Sequence, residues 1–364
     1  MAKPIGIGII GGSPERGWAL DAHMPAIQAS PDLELRAVST SRRETADKAA
    51  QFFGVPAYDN AAELVARDDV DLVVVNVKVP LHFDLVSMAI DAGKAVLCEW
   101  PLGNGLAETE KLAEKARSAG VRNFTGLQAR SGPEFNHIRN LITQDYVGDV
   151  LSSSIIASGG IWGPVVMPHD AYVLDVKSGA GMLQIPFGHT LDGVCFCLGE
   201  LDHLVAQTAQ RRTQSLIHGT DRVQKLDTPD QILIAGCFQS GAMLSVHYRG
   251  GMSTGTNFLW EINGTKGDIT VTAPNGFGEL VPLSVSGAKA GEAQAPLPTP
   301  EQCYWAPGRP KGVALNVAQA YAHIVADMRD GGNRAPDFAH AVLRYKMLDA
   351  VRKAADTGTR QSYL

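Results

Sequence analysis

Ile5-Gly6-Ile7-Gly8-Ile9-Ile10 empties directly into Gly11-Gly12-Ser13, and four residues later Gly17-Trp18-Ala19 opens an apolar stretch running to Ile27. A short apolar run, then small residues, then a helix is how a buried parallel strand meets a helix whose first N–H groups face an anion. The natural guest of such a turn is a diphosphate cofactor. Gly11 and Gly17 are separated by five residues, and Ser13 stands where the second glycine of G-x-G-x-x-G belongs. Alone, the turn suits either a dinucleotide or an ordinary glycine-rich junction.

Outward from this unit the alternation continues. Strands are expected at Leu33–Val38, Asp71–Val75, Ala95–Cys98 and Val121–Leu127, with helices at Glu44–Phe53, Ala61–Ala66, His82–Ala92 and Leu106–Ala119. Apolar strands alternating with helices predict a doubly wound parallel sheet covered on both faces, a Rossmann domain over residues 1–126. Beyond a helix at Pro133–Gln144 the pattern turns β-rich, at Leu151–Ala157, Gln231–Phe238, Ala242–Tyr248, Phe258–Ile262 and Asp268–Thr272. Asn263-Gly264-Thr265-Lys266-Gly267 supplies a hairpin turn between the last two. Residues 127–364 are therefore read as an α+β domain with a large, mostly antiparallel sheet. Ala288–Pro310 is expected to be an exposed excursion, and helices at Asn316–Arg329 and Phe338–Ala355 follow.

Composition narrows the function. A chain of 364 residues with 45% hydrophobic content can bury two cores. The formal net charge is −6 and basic residues are scattered, which argues against direct nucleic-acid binding. With no apolar run of membrane length and no signal-peptide pattern, a cytoplasmic location is expected. Five cysteines, an odd number, point to free thiols in a reducing compartment, and Cys195 and Cys197 lack the companions of a metal site, so no metal is expected.

The end of the second strand decides between cofactors. It reads Val38-Ser39-Thr40-Ser41-Arg42-Arg43, with no carboxylate to take a ribose 2′-hydroxyl before Glu44. Thr40, Ser41 and Arg42 suit a 2′-phosphate, so NADP is preferred over NAD; the alternative is that both arginines merely solvate the next helix.

Gly93-Lys94-Ala95-Val96-Leu97-Cys98-Glu99-Trp100-Pro101-Leu102, Pro80-Leu81-His82 and Gly188-His189-Thr190-Leu191-Asp192, taken with the opening turn, resemble the glucose-fructose oxidoreductase, inositol dehydrogenase and rhizopine-catabolism (Gfo/Idh/MocA) family. Gly17-Trp18-Ala19, Glu99-Trp100, Gly126-Leu127-Gln128, Asp175 and Phe187-Gly188-His189-Thr190 are similar to its branch of the yeast galactose-regulon repressor, a regulatory NADP-binding member. The resemblance implies a nicotinamide-binding Rossmann domain and a second domain carrying the substrate pocket and the oligomer interface, hence a homodimer or homotetramer. It implies hydride transfer on a sugar, polyol or related hydroxylated ring, and cofactor contacts from Gly11, Gly12, Ser13, Gly17, Trp18, Thr40, Ser41, Arg42, Asn76, His82, Glu99, Trp100 and Gln128; no membrane partner is expected, since no apolar run is long enough to span one. Two alternatives stand beside it: a sensor that binds NADP without turnover, and an enzyme using a tightly bound nicotinamide for net non-redox chemistry.

The departures matter as much. The family's Glu-Lys-Pro lysine is replaced by Trp100, which cannot accept a proton. Ile185 stands where the family places an aspartate, with Gln184 one step earlier. His189 remains as candidate base, titrating in the range that removal of a hydroxyl proton needs. Lys78, after Asn76-Val77, is either a replacement for the missing lysine or a surface lysine. His82 is expected to pack near the cofactor. Arg130 either bridges toward substrate or forms an interdomain ion pair. Trp100, Trp162, Tyr172, Asp175 and Gln184 complete the substrate candidates, with core packing the alternative for Trp162.

Overall fold

The computed structural model describes residues 3–364. Two compact units are present, one comprising the chain up to Gln128 together with Tyr304–Val342, the other Ala129–Cys303 together with Leu343–Leu364. The sequence reading placed everything after residue 126 in one domain, whereas residues 304–342 pack with the first unit.

The first unit contains six parallel strands, β1 (Ile5–Ile10), β2 (Leu33–Ser39), β3 (Ala57–Tyr58), β4 (Leu72–Val75), β5 (Ala95–Glu99) and β6 (Asn123–Gly126). Their order in the sheet is β3-β2-β1-β4-β5-β6, the doubly wound dinucleotide-binding arrangement. All of β1 and β4 is buried, as expected of parallel strands covered on both faces. The chain reverses direction of strand order beside β1, so the carboxyl ends of β1 and β4 flank the crevice where such sheets take ligands. Ile7, Ile9, Leu72, Val74 and Leu97 share one core with Val317, Tyr321 and Ile324 of the returning helix Ala314–Asp330.

The expected excursion at Ala288–Pro310 is exposed throughout Lys289–Pro296 and turns inward at Cys303 and Ala306. Ala306 is buried, the Gln319 side chain accepts from the Trp305 and Ala306 N–H groups, and Gly308 presses so closely on Ala29 that a Cβ would lie 2.6 Å from its carbonyl oxygen.

The second unit holds an eight-stranded sheet in the order Ala295–Pro296, Ser284–Lys289, Gly267–Ala273, Phe258–Gly264, Val150–Gly159, Met243–Gly250, Gln231–Phe238, Leu201–Ala209. Every neighbouring pair is antiparallel except Val150–Gly159 with Met243–Gly250. The expected hairpin is there, pairing Ile262 with Ile269 and Asn263 with Asp268. Along Gln231–Phe238 burial alternates residue by residue, so the period of the strand sets which side chains enter the core. The helix Pro186–Leu198, buried along nearly its whole length, belongs to this unit. Its Gly193 admits the Phe135 ring of helix Pro133–Thr143, which would stand 2.4 Å from a Cβ. Among the described residues no helix is long and apolar enough to cross a membrane.

Candidate functional site

In the first unit the candidate residues gather at the carboxyl edge of the sheet because each follows a parallel strand. After β1, Gly11 adopts φ +94° and comes so near β4 that a Cβ would lie 2.1 Å from the Asn76 carbonyl oxygen. Only glycine meets both demands. The Gly11 and Gly12 N–H groups both donate to the Ser39 carbonyl, at 2.9 and 3.1 Å. They close the loop onto β2, and in the helix that follows the Leu20 and Asp21 N–H groups donate to the Gly17 carbonyl at 2.9 and 3.0 Å, leaving the positive end of the helix dipole to favour an anion. That helix begins after Gly17, at φ +107°, as a π turn over Ala19–His23 and continues as α over Met24–Gln28. The Trp18 indole Nε1 beside it is buried and has no hydrogen-bond partner among the described residues, a donor whose desolvation is uncompensated.

At the end of β2 the two arginines part company. Arg43 donates to Asp47 one turn on, which raises its pKa. The Thr40 hydroxyl donates to the Arg42 carbonyl at 3.1 Å and receives the Thr45 hydroxyl at 2.8 Å. Among the described residues the exposed Arg42 guanidinium makes no ion pair or hydrogen bond. Arg42 caps the helix Arg43–Phe53 in extended backbone, and Ser41 beside it is exposed.

After β4, Asn76 donates its N–H to Ile10 at 3.0 Å, tying the edge of β4 to β1. Lys78 is exposed on the following loop. His82 is buried, with Nε2 2.9 Å from the Val77 carbonyl and Nδ1 2.8 Å from the Pro101 carbonyl and 3.3 Å from Cys98 Sγ. Burial lowers its pKa. The imidazole thus ties the loop after β4 to the loop after β5.

The loop after β5 holds the cis Trp100–Pro101 bond. Trp100 is only 5% exposed, so its ring offers little face for stacking on a sugar, contrary to the sequence expectation. Glu99 receives the Gln128 amide on Oε2 at 2.5 Å, and His23 Nε2 lies 3.1 Å from its Oε1. A Cβ at Gly126 would lie 2.7 Å from the Glu99 carboxylate atoms. Gly126→Ala is therefore expected to displace Glu99 and lower stability by about 1–3 kcal/mol, read as a fall in melting temperature; an unchanged melting temperature would show that the carboxylate has room to move.

In the second unit His189 is 6% exposed in the first turn of helix Pro186–Leu198. Next to it the Thr190 hydroxyl pairs with the Tyr248 hydroxyl at 2.7 Å, which also donates to the Gly276 carbonyl at 2.6 Å. One turn along, Asp192 receives Arg130 Nε and NH2 at 2.7 Å each and Arg344 Nε at 3.1 Å. Arg344, wholly buried, also donates to Glu200 at 2.6 Å. Burial pushes the Glu200 carboxyl up, but Arg344 and the Tyr363 hydroxyl more than reverse this and hold it below the usual range. Arg130 thus forms a buried ion pair inside its own unit, rather than an interdomain pair or an arm toward substrate.

Trp162 is fully buried, donates to the Val173 carbonyl and stacks on Phe277, so it serves the core of this unit instead of a sugar face. Tyr172 is half-buried, and burial, then Asp170, raises its phenol pKa. Asp175 caps the short turn Val176–Ser178 by accepting from Lys177 N–H at 2.9 Å. Gln184 is half-buried, with its amide oxygen against Gly181, where a Cβ would stand 3.0 Å away. Cys195 and Cys197 are buried, and burial raises both thiol pKa values. Among the described residues no cluster of three or more His, Cys, Asp or Glu has the arrangement of a metal site. His23, Tyr321, Glu200 and Arg344 escaped sequence reasoning, since their partners lie far along the chain and no local spacing marks them.

Two family models match the chain: the oxidoreductase family with NAD-binding Rossmann fold over residues 5–127, and the Gal80p C-terminal domain over residues 133–273. Dehydrogenase aclE of Aspergillus oryzae is 29% identical over 100% of this chain and 99% of its own length. The galactose/lactose metabolism regulatory protein GAL80 of Saccharomyces cerevisiae is 27% identical over 85% of this chain and 76% of its own. Among solved structures, a super-repressor mutant of Gal80p from Saccharomyces cerevisiae superposes with a TM-score of 0.89 at 22% identity, covering 99% of this chain and 98% of that one. Levoglucosan dehydrogenase in complex with NADH and levoglucosan gives 0.85 at 19%, covering 99% and 100%. Both structures share the fold. Residues 5–127 thus match the oxidoreductase family with an NAD-binding Rossmann fold, and residues 133–273 match the Gal80p C-terminal domain.

Proposed function

We propose that the protein is an NADP(H)-dependent oxidoreductase acting on a CH–OH group of a carbohydrate-like substrate, a sugar, polyol or related hydroxylated ring. The observation that carries the cofactor choice is the unpartnered Arg42 guanidinium at the carboxyl end of β2. In this strand order that position meets the adenosine ribose, and a guanidinium matches a phosphate bidentately. Thr40 and Ser41 flank it with hydroxyls. The orphaned Trp18 Nε1 and the helix start beside Gly17 suit the diphosphate. When bound, the nicotinamide supplies the hydride acceptor or donor.

His189 is assigned the proton of the reacting hydroxyl, taken as hydride leaves the carbon and returned in the reverse direction. Lys78 is assigned the positive charge that the family's lysine otherwise provides, and Tyr172, Asp175 and Gln184 the remaining polar contacts to substrate. The carbohydrate class is supported by the likeness to a levoglucosan dehydrogenase. Incubating the protein with NADP⁺ or NADPH and a panel of sugars and polyols tests this reading by nicotinamide absorbance. Turnover with at least one is expected, and none in either direction would overturn it.

Arg42→Ala is expected to weaken NADP(H) binding about ten- to a hundredfold, the size of a lost charge-assisted hydrogen bond, and to leave NAD(H) affinity within a factor of about two. Equal loss for both nucleotides would remove Arg42 from the phosphate site.

Trp100 favours a second reading, a regulator that binds the nucleotide without turning over. It stands where the resemblance places the proton-handling lysine, and regulatory GAL80 proteins are among the relatives. Tight NADP binding with no turnover across the panel is the result that would select it.

A further inference from the structure

Tyr321, His23, Glu99 and Gln128 form a continuous chain of polar contacts inside the first unit. The Tyr321 hydroxyl lies 2.9 Å from His23 Nδ1, His23 Nε2 lies 3.1 Å from Glu99 Oε1, and Gln128 donates to Glu99 Oε2. His23 and Tyr321 are buried, while the Glu99 side chain keeps 13% of its surface. Burial, with Glu99 adding to it, raises the Tyr321 phenol pKa well above the usual value, so it keeps its proton. An apolar side chain at position 23 would fill the same space without the cost of desolvating an imidazole. Gln128 instead holds one carboxylate oxygen by a hydrogen bond, the imidazole stands 3.1 Å from the other, and Gly126 clears the ground beside them.

Glu99 ends β5, in the β4–β6 half of the sheet, which takes the second mononucleotide in this strand order. We propose that Glu99 sets the protein's preference for the oxidised over the reduced nicotinamide nucleotide, with His23 as its positioning residue. This rests on the cofactor reading above. The oxidised ring carries a positive charge and the reduced ring none, so a carboxylate held at that end of the sheet favours the oxidised form. The Gln128 hydrogen bond, with the buried His23 ring set against the other oxygen, keeps the carboxylate from swinging toward water, where the discrimination would be screened.

The test is calorimetric titration of the full chain with NADP⁺ and with NADPH. Glu99→Gln keeps the shape and removes the charge. It is expected to raise the dissociation constant for NADP⁺ relative to that for NADPH about tenfold, which raises the potential of the bound two-electron couple by about 30 mV. His23→Leu is expected to shift the ratio in the same direction, and His23→Gln, whose amide nitrogen reaches the place of Nε2, to restore it. A Glu99→Gln protein that binds both forms equally more weakly, or with an unchanged ratio, overturns the inference even if His23→Leu fails to fold. An unmodified protein that binds neither nucleotide overturns the cofactor reading and this inference with it.

Discussion

Replacing His189 by Asn is expected to lower kcat by about a hundred- to ten-thousandfold, the range general acid–base groups supply, while the affinity for NADP(H) stays unchanged. Asparagine approximates the size of the ring and keeps a polar group, but it cannot take a proton near neutral pH. The helix carrying His189 is held by other contacts, the Thr190–Tyr248 hydroxyl pair and the Asp192 ion pairs, so the fold is expected to persist. Steady-state kinetics on whichever panel substrate turns over supplies the measurement. A kcat within a factor of about three of the unmodified enzyme would assign the base elsewhere, and Lys78→Ala is the next variant to compare.

The largest stability loss is expected at Asp192. This carboxylate is fully buried and takes three hydrogen bonds from Arg130 and Arg344, and Arg344 is itself wholly buried. Asp192→Ala removes the carboxylate that Arg130 and Arg344 share and leaves Arg344 with Glu200. Removing one partner of a buried pair costs about 3–5 kcal/mol, because the uncompensated charge stays out of water. Denaturant unfolding followed by circular dichroism is the check, and a loss below about 1 kcal/mol would mean that water reaches the site.

The same network gives a pH dependence. The Glu200 carboxyl is held below its ordinary range, so in the folded state it binds its proton only at lower pH than in the unfolded chain. Its contribution to stability is present in full above the ordinary glutamate range and is lost as pH falls through the depressed value. Glu200→Gln is expected to flatten the acid side of the stability profile.

The residues that build the sheet edge were legible because their signals are local. β1 with Gly11, the end of β2 with Arg42, and the loop after β5 with Glu99 and Trp100 each lie within a dozen residues of sequence, and the strand order turns local spacing into proximity. The hairpin at Asn263–Gly267 was readable for the same reason. The edge strand Leu201–Ala209 escaped notice because it is half-exposed and mixes His203, Gln207 and Thr208 with its apolar residues, blurring the two-residue period. Ser284–Lys289 is short and rich in small residues, which carry little strand signal.

The return of residues 304–342 to the first unit was also invisible. It depends on Val317, Tyr321 and Ile324 joining the core of Ile7, Ile9 and Leu72 and on Gly308 meeting Ala29, contacts with residues far away in the sequence. Trp162 and Arg130 show the opposite error. An aromatic residue and an arginine in a predicted substrate domain read as ligand contacts, yet Phe277 and Asp192 had prior claim on them. Long-range partners, rather than residue type, decided both.

Isothermal titration of the full chain with NADP⁺ and NAD⁺ in parallel bears most directly on the proposal that this sheet edge binds a phosphorylated nicotinamide nucleotide. Saturable binding of NADP⁺ at least about tenfold tighter than NAD⁺ is expected from a free guanidinium at the end of β2. Tighter binding of NAD⁺, or no heat with either nucleotide, would contradict it.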